Sequence, residues 1–154
     1  MSQMSGRQEL IAERTSTATE NVDVSYDFTK AKSVIFLLRV SAIANASGDK
    51  FNLSIEQVFE LPATDTPVAA SETYDDFITF IEILGNASAP VEQRATWHRD
   101  TTVTTDFQVL SQALGDDVLH GPISGKIRAN AVVTSADDPS FTWSLYAWVL
   151  EDID

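Results

Sequence analysis

Apolar and polar residues alternate with a period of two along most of this chain, which is the pattern of strands with one buried face. Val22, Val24, Tyr26 and Phe28 alternate with Asp23, Ser25 and Asp27. The run Val34-Ile-Phe-Leu-Leu38 is apolar at every position before Arg39 and Ser41 return one face to polar. It predicts a central strand covered on both sides. After the turn cluster Asn45–Asp49, Phe51, Leu53 and Ile55 alternate again, and the two stretches predict a hairpin. Near the C-terminus Ile127, Ala129, Ala131 and Val133 precede the turn Ala136–Ser140. Phe141, Trp143, Leu145, Ala147 and Val149 then give the cleanest alternation in the chain. These two stretches predict a second hairpin.

The intervening segments are less regular. Residues 61–72 hold two of the five prolines and predict a surface loop. Residues 73–86 admit two readings. Thr73 and Asp76 resemble a capping box, with Phe77, Phe80, Ile81 and Leu84 at helical spacing. The same stretch is β-branched and aromatic, with Phe77, Thr79, Ile81 and Ile83 on one face, and its strand-like neighbours favour a strand. Ala95–Val109 is rich in threonine, which suits strands better than helices. Phe107–Leu114 fits a short helical turn, and Gly121-Pro122 opens another strand. Residues 1–9 are polar and predict an arm that orders on a partner, with Ser5 and Gln8 placed to cap a turn leading into Leu10 and Ile11. The expected fold is all-β: a single antiparallel β-sandwich, jelly-roll or Ig-like, of about seven to eight strands over residues 10–154.

Composition narrows the function classes. The 154 residues carry 23 acidic and 10 basic side chains, a formal charge of −13 that repels nucleic acid. Lysine occurs four times and aspartate 14 times, a balance that suits a salt-rich setting because salt relieves self-repulsion. There is no cysteine, which removes disulfides, thiol nucleophiles and thiolate metal sites. The apolar run Val34–Leu38, like every other in the chain, falls far short of a membrane helix, so no membrane partner is expected. The opening MSQMSGRQEL lacks a secretory apolar stretch, so synthesis in the cytoplasm is expected.

Candidate chemistry is sparse. His98 lies in Trp97-His-Arg-Asp100, but a hydrolase would also need a nucleophile on a strained turn, and no G-x-S-x-G occurs. His120 lies 22 positions further on, a separation that matches no metal-ligand spacing. The doublets Asp75-Asp76, Asp116-Asp117 and Asp137-Asp138 are ordinary turn residues. They lack the EF-hand order, leaving only a calcium site built across loops. Sequons begin at Asn45, Asn52 and Asn86 and matter only for a secreted chain. Trp97, Trp143, Tyr146 and Trp148 could line a carbohydrate cleft. Trp143 has the inward parity of the last strand, whereas Tyr146 and Trp148 share the outward parity and predict an exposed contact surface. Contacts with a partner are therefore expected at Leu10, Ile11, Tyr146 and Trp148. No catalytic residue, cofactor or metal ligand is expected.

Two stretches resemble a family of small virion structural proteins of tailed bacterial or archaeal viruses. The first is Ser33-Val-Ile-Phe-Leu-Leu-Arg-Val-Ser-Ala-Ile43 with Lys50-Phe-Asn-Leu-Ser-Ile-Glu56. The second is Gly125-Lys-Ile-Arg-Ala-Asn-Ala-Val-Val133 with Asp138-Pro-Ser-Phe-Thr-Trp-Ser-Leu145. The chain departs from that family in its long 61–72 loop and its acidic tail Glu151-Asp-Ile-Asp154. The resemblance implies a non-enzymatic virion component that decorates or cements a capsid as a homo-oligomer against the major capsid protein. A tail, neck or fibre component touching tail proteins is the close variant, and a carbohydrate-binding β-sandwich module is the alternative from another class.

Overall fold

The computed structural model describes residues 2–4, 6–44, 48–61, 71–99, 113–114, 118–121, 125–134 and 138–152. Twelve strands run through them: β1 (Ser2–Met4), β2 (Gln8–Ser16), β3 (Glu20–Asp23), β4 (Ala31–Ala44), β5 (Lys50–Leu61) and β6 (Ser71–Phe80) in the first half. They continue as β7 (Ile83–Leu84), β8 (Val91–Arg99), β9 (Ala113–Leu114), β10 (Val118–Gly121), β11 (Ile127–Thr134) and β12 (Ser140–Asp152). No helix occurs among the described residues. The front sheet has the order β1-β12-β4-β8-β10, with β2 also on β12; the back sheet has the order β3-β11-β5-β6-β9, with β7 also on β5. Pairing is antiparallel except at two edges, where β10 runs parallel to β8 and β9 parallel to β6. The chain is thus all-β and sandwich-like, with the two sheets meeting through their inward side chains.

Neither expected hairpin forms. β4 pairs with β12 and β8, while β5 pairs with β11, β6 and β7. The turns after β4 and after β11 therefore carry the chain from one sheet to the other. The two strand–turn–strand units stack, β4 on β12 in front and β5 on β11 behind. The hydrophobic pattern is the same for a hairpin and for this arch, because alternation reports which face is dry and is silent about which strand lies alongside. What differs is where the apolar rows meet. Val34, Phe36, Leu38 and Val40 of β4 and Phe51, Leu53 and Ile55 of β5 are buried in one core. Phe51 stacks on Phe141 of β12 with ring centroids 5.2 Å apart, and lies 5.9 Å from the Trp143 ring. Each such ring removes enough apolar surface from water to contribute about 1.5–3 kcal/mol.

Residues 73–80 lie in β6 and Ile83–Leu84 form β7, with a turn at 85–86, and the inward row of β6 differs from the one that the alternation grouped with Phe77. Ile78 and Phe80 are buried, whereas Ile81 is 46 % exposed. The register with β5 shifts between Ile55 and Glu56, which skips Phe77 and exchanges the two faces. Residues 62–70 of the expected loop lie outside the described residues, as do 100–109 of the threonine-rich stretch and 107–112 of the expected helical turn. Ala113 and Leu114, its last residues, form β9. The expected arm is also placed differently, since β1 and β2 together occupy the free edge of β12.

Between β3 and β4 the chain leaves the ladder yet stays pinned. Val24 N–H donates to the Ile127 carbonyl and Phe28 N–H to the Gly125 carbonyl. The Tyr26 hydroxyl donates to Glu151, and its pKa is pushed up to about 12, first by burial and then by the Glu151 carboxylate. Gly125 adopts φ +92°, and a Cβ there would stand 2.8 Å from Thr29 Oγ1. That hydroxyl is itself held by Asp27. Gly125→Ala therefore combines left-handed strain with a clash and should cost about 2 kcal/mol, measured as a lower urea midpoint at unchanged slope.

Candidate interaction face

The outward side chains of the front sheet form rows set by the strand register. Leu150, Ser33 and His98 lie side by side in one row. Trp148, Ile35 and Thr96 form the next row, and Glu9, Tyr146, Leu37 and Arg94 the one after. Ile35, Leu37, Tyr146, Trp148 and Leu150 are all half-buried and make one continuous apolar strip across β4 and β12. The back sheet is different. Its outward residues on the two central strands include the polar Asn52, Ser54, Glu56, Arg128, Asn130 and Thr134, with Val58 and Val132 apolar. A sheet with one solvated face normally alternates apolar and polar residues; the front sheet breaks that rule where β4 is apolar on both sides.

Charges rim the strip. Arg7 places its guanidinium 4.8 Å from the centre of the Tyr146 ring, a cation–π contact. Arg39 and Glu92 pair at 3.9 Å beyond Leu37, both well exposed, so the pair is worth little energetically. Thr15 and Thr142 share a hydrogen bond of 2.8 Å at the far end. Ser144 carries the same outward parity but is buried where the β2–β12 register shifts, and its Oγ has no hydrogen-bond partner among the described residues.

The expected contact residues separate into two groups. Tyr146 and Trp148 fall on this face but are half-buried rather than exposed. Leu10 and Ile11 do not reach it. Both are buried in the core, because the bulged β2 lets two consecutive residues turn inward, and they offer no surface to a partner. The arrangement also fails to assemble an aromatic cleft. Trp97 and Trp143 are fully buried, the latter donating from Nε1 to Ser16 Oγ at 2.8 Å, and Arg7 occupies a face of Tyr146 on which a sugar would stack.

His98 sits on β8 with Nδ1 2.5 Å from Ser33 Oγ. A serine beside a histidine suggests a nucleophile and base, but Ser33 lies in the ladder of a regular strand rather than on a strained turn. Asp100, the carboxylate next in sequence, lies outside the described residues. Asp116, Asp117 and Asp137 also lie outside them, and Asp138 is exposed with φ +29°. No group of three or more potential metal ligands occurs among the described residues. Ionic ties are concentrated elsewhere. At the sandwich edge Glu20 accepts from Ser16 and from Arg14. Burial alone would raise its pKa, and those two hydrogen bonds with the Arg14 charge outweigh it and hold the carboxyl below its usual range.

The sequence pattern did not reveal the strip as a whole. Ile35 and Leu37 were legible as a second apolar face on β4, and Tyr146 and Trp148 as outward aromatics, but their adjacency depends on the β4–β12 pairing. No protein-family model matches the chain, and neither a curated protein nor a solved structure is similar to it.

Proposed function

We propose that this chain is a non-enzymatic structural protein that decorates a virus capsid, docking through the outer face of its front sheet. The observation that carries the reading is the strip Ile35, Leu37, Tyr146, Trp148 and Leu150, set on the outer face of the front sheet. Half-buried aromatics with an arginine at the rim are the residue types that anchor protein–protein contacts. The resemblance of the β4–β5 and β11–β12 units to small virion proteins supplies the setting. We take the finer architecture as jelly-roll-like rather than Ig-like, since β4, β5, β11 and β12 switch sheets at both of their turns.

The strip presents the same surface on every copy, so it serves either a repeating lattice or a symmetric homo-oligomer. A Tyr146→Ser/Trp148→Ser variant should keep the wild-type circular dichroism spectrum and lose particle occupancy at least tenfold, about 1.4 kcal/mol or more of binding. Quantitative mass spectrometry of purified particles reads both the presence of the chain and its copy number. Absence of the wild-type chain from particles would overturn the virion reading, and unchanged occupancy of the variant would overturn the face.

A further inference from the structure

We propose that in the free protein the front-sheet strip is covered by a second copy of this chain, packed face to face about a twofold axis. The observation that selects this occupant is the charge at the two ends of one row. Glu9 on β2, Tyr146 on β12, Leu37 on β4 and Arg94 on β8 are register partners in turn, so the row ends on an acid at one side and a base at the other. Both end residues are exposed, and neither has an ion-pair partner among the described residues. They stand three strand spacings apart, about 14 Å, too far to meet within one chain.

A twofold axis along the strands, between β12 and β4, lays each row on the same row of the second copy with its ends exchanged. Tyr146 then faces the partner's Leu37, Trp148 faces the partner's Ile35, and Glu9 faces the partner's Arg94. The axis repeats each contact, so the dimer holds two Glu9–Arg94 pairs. Stacked sheets stand about 10 Å apart, a gap that one arginine and one glutamate side chain close from opposite sides. With 23 acidic residues against 10 basic ones, two acidic ends would be the commoner outcome, and they would repel a second copy. Arg39 and Glu92, in the next row, already pair with each other and oppose the contact little. Four strands about 4.8 Å apart, carrying four rows about 6.8 Å apart, present about 500 Å² on each copy, so the dimer buries about 1,000 Å², the size of a weak and exchangeable contact. Each copy also carries a formal charge of −13, a repulsion that acts at long range. At physiological ionic strength the Debye length is about 8 Å, which screens that repulsion more than the close Glu9–Arg94 pairs. Such a dimer keeps the strip out of water until a capsid surface replaces the second copy. It presupposes that the strip is a contact face, as read above, but its test involves no particles.

Sedimentation equilibrium of the untagged chain at about 0.15 M salt should show a reversible monomer–dimer equilibrium. Glu9→Arg and Arg94→Glu should each weaken self-association at least tenfold, because each places two like-charge contacts in the dimer. Both positions are exposed, so both variants should keep the wild-type circular dichroism spectrum. Mixed in equal amounts, the two variants should associate again as a heterodimer, since every arginine of one then faces an acid of the other. A wild type that stays monomeric up to about 1 mM overturns the dimer and leaves the docking face to be judged on particles. Single variants that associate like wild type, or a mixture of the folded variants that stays monomeric, overturn the face-to-face arrangement. A chain that dimerises as described and is absent from particles removes the docking role and leaves the dimer standing.

Discussion

Trp143→Ala should lower the melting temperature by about 10 °C or more, the largest loss from any single truncation in the aromatic set. Trp143 is fully buried, faces Phe51 at 5.9 Å and donates from Nε1 to Ser16 Oγ. Truncation removes the ring's transfer free energy, leaves a cavity between the sheets and takes one of two partners from the Ser16 hydroxyl, which still donates to Glu20. Together these amount to about 3–5 kcal/mol. Trp143→Phe keeps most of the volume and loses the hydrogen bond, so it should fall between the alanine variant and wild type. Trp148→Ala is the internal control. It lies on the same strand with the opposite parity and is only half-buried, so its cost should be a fraction of the Trp143 value. Thermal unfolding followed by far-ultraviolet circular dichroism separates the three. A Trp148 truncation that costs more than the Trp143 truncation would reverse the assignment of inner and outer faces on β12.

That comparison also marks what the residue pattern carried. Phe141, Trp143, Leu145, Ala147 and Val149 are all buried, as their parity required, and Val34–Leu38 lies in a strand between β12 and β8, but with Ile35 and Leu37 only half-buried on the face expected to be covered. Parity is a property of one strand, readable from its own residues. Pairing is a property of two, and it failed to read at both turns because an arch and a hairpin demand the same alternation and the same turn residues. Bulges defeated the pattern locally. The skip at Phe77 turned Ile78 and Phe80 inward in place of their neighbours, and the bulged β2 buried Leu10 beside Ile11. The edge pairing was illegible for a different reason: the parallel register between β8 and β10 is a non-local contact that no spacing rule encodes.

The second large effect lies on the back sheet. Glu56 is nearly buried, accepts from Arg128 Nε on the neighbouring strand, and also accepts from Asn130 Nδ2 at 3.3 Å. The side chains are 10 % and 18 % exposed, which separates this pair from the well-exposed Arg39–Glu92 pair in front. Burying both charges costs solvation that their attraction offsets only while both remain, so the pair is fragile to loss of either member. Glu56→Leu should therefore cost about 3–5 kcal/mol by leaving the Arg128 guanidinium enclosed without its carboxylate. Asp23, the register partner of Arg128 on β3, is exposed, so its own attraction to the guanidinium is screened. Adding Arg128→Met to Glu56→Leu should restore most of the loss, since the double variant replaces an ion pair by packed apolar groups. Chemical denaturation of the two single variants and the double closes the cycle. A single-variant cost below about 1 kcal/mol, or a double variant no better than Glu56→Leu alone, would place the pair with surface ion pairs. In that case β5 and β11 would be held together by their ladder and their inward rows alone.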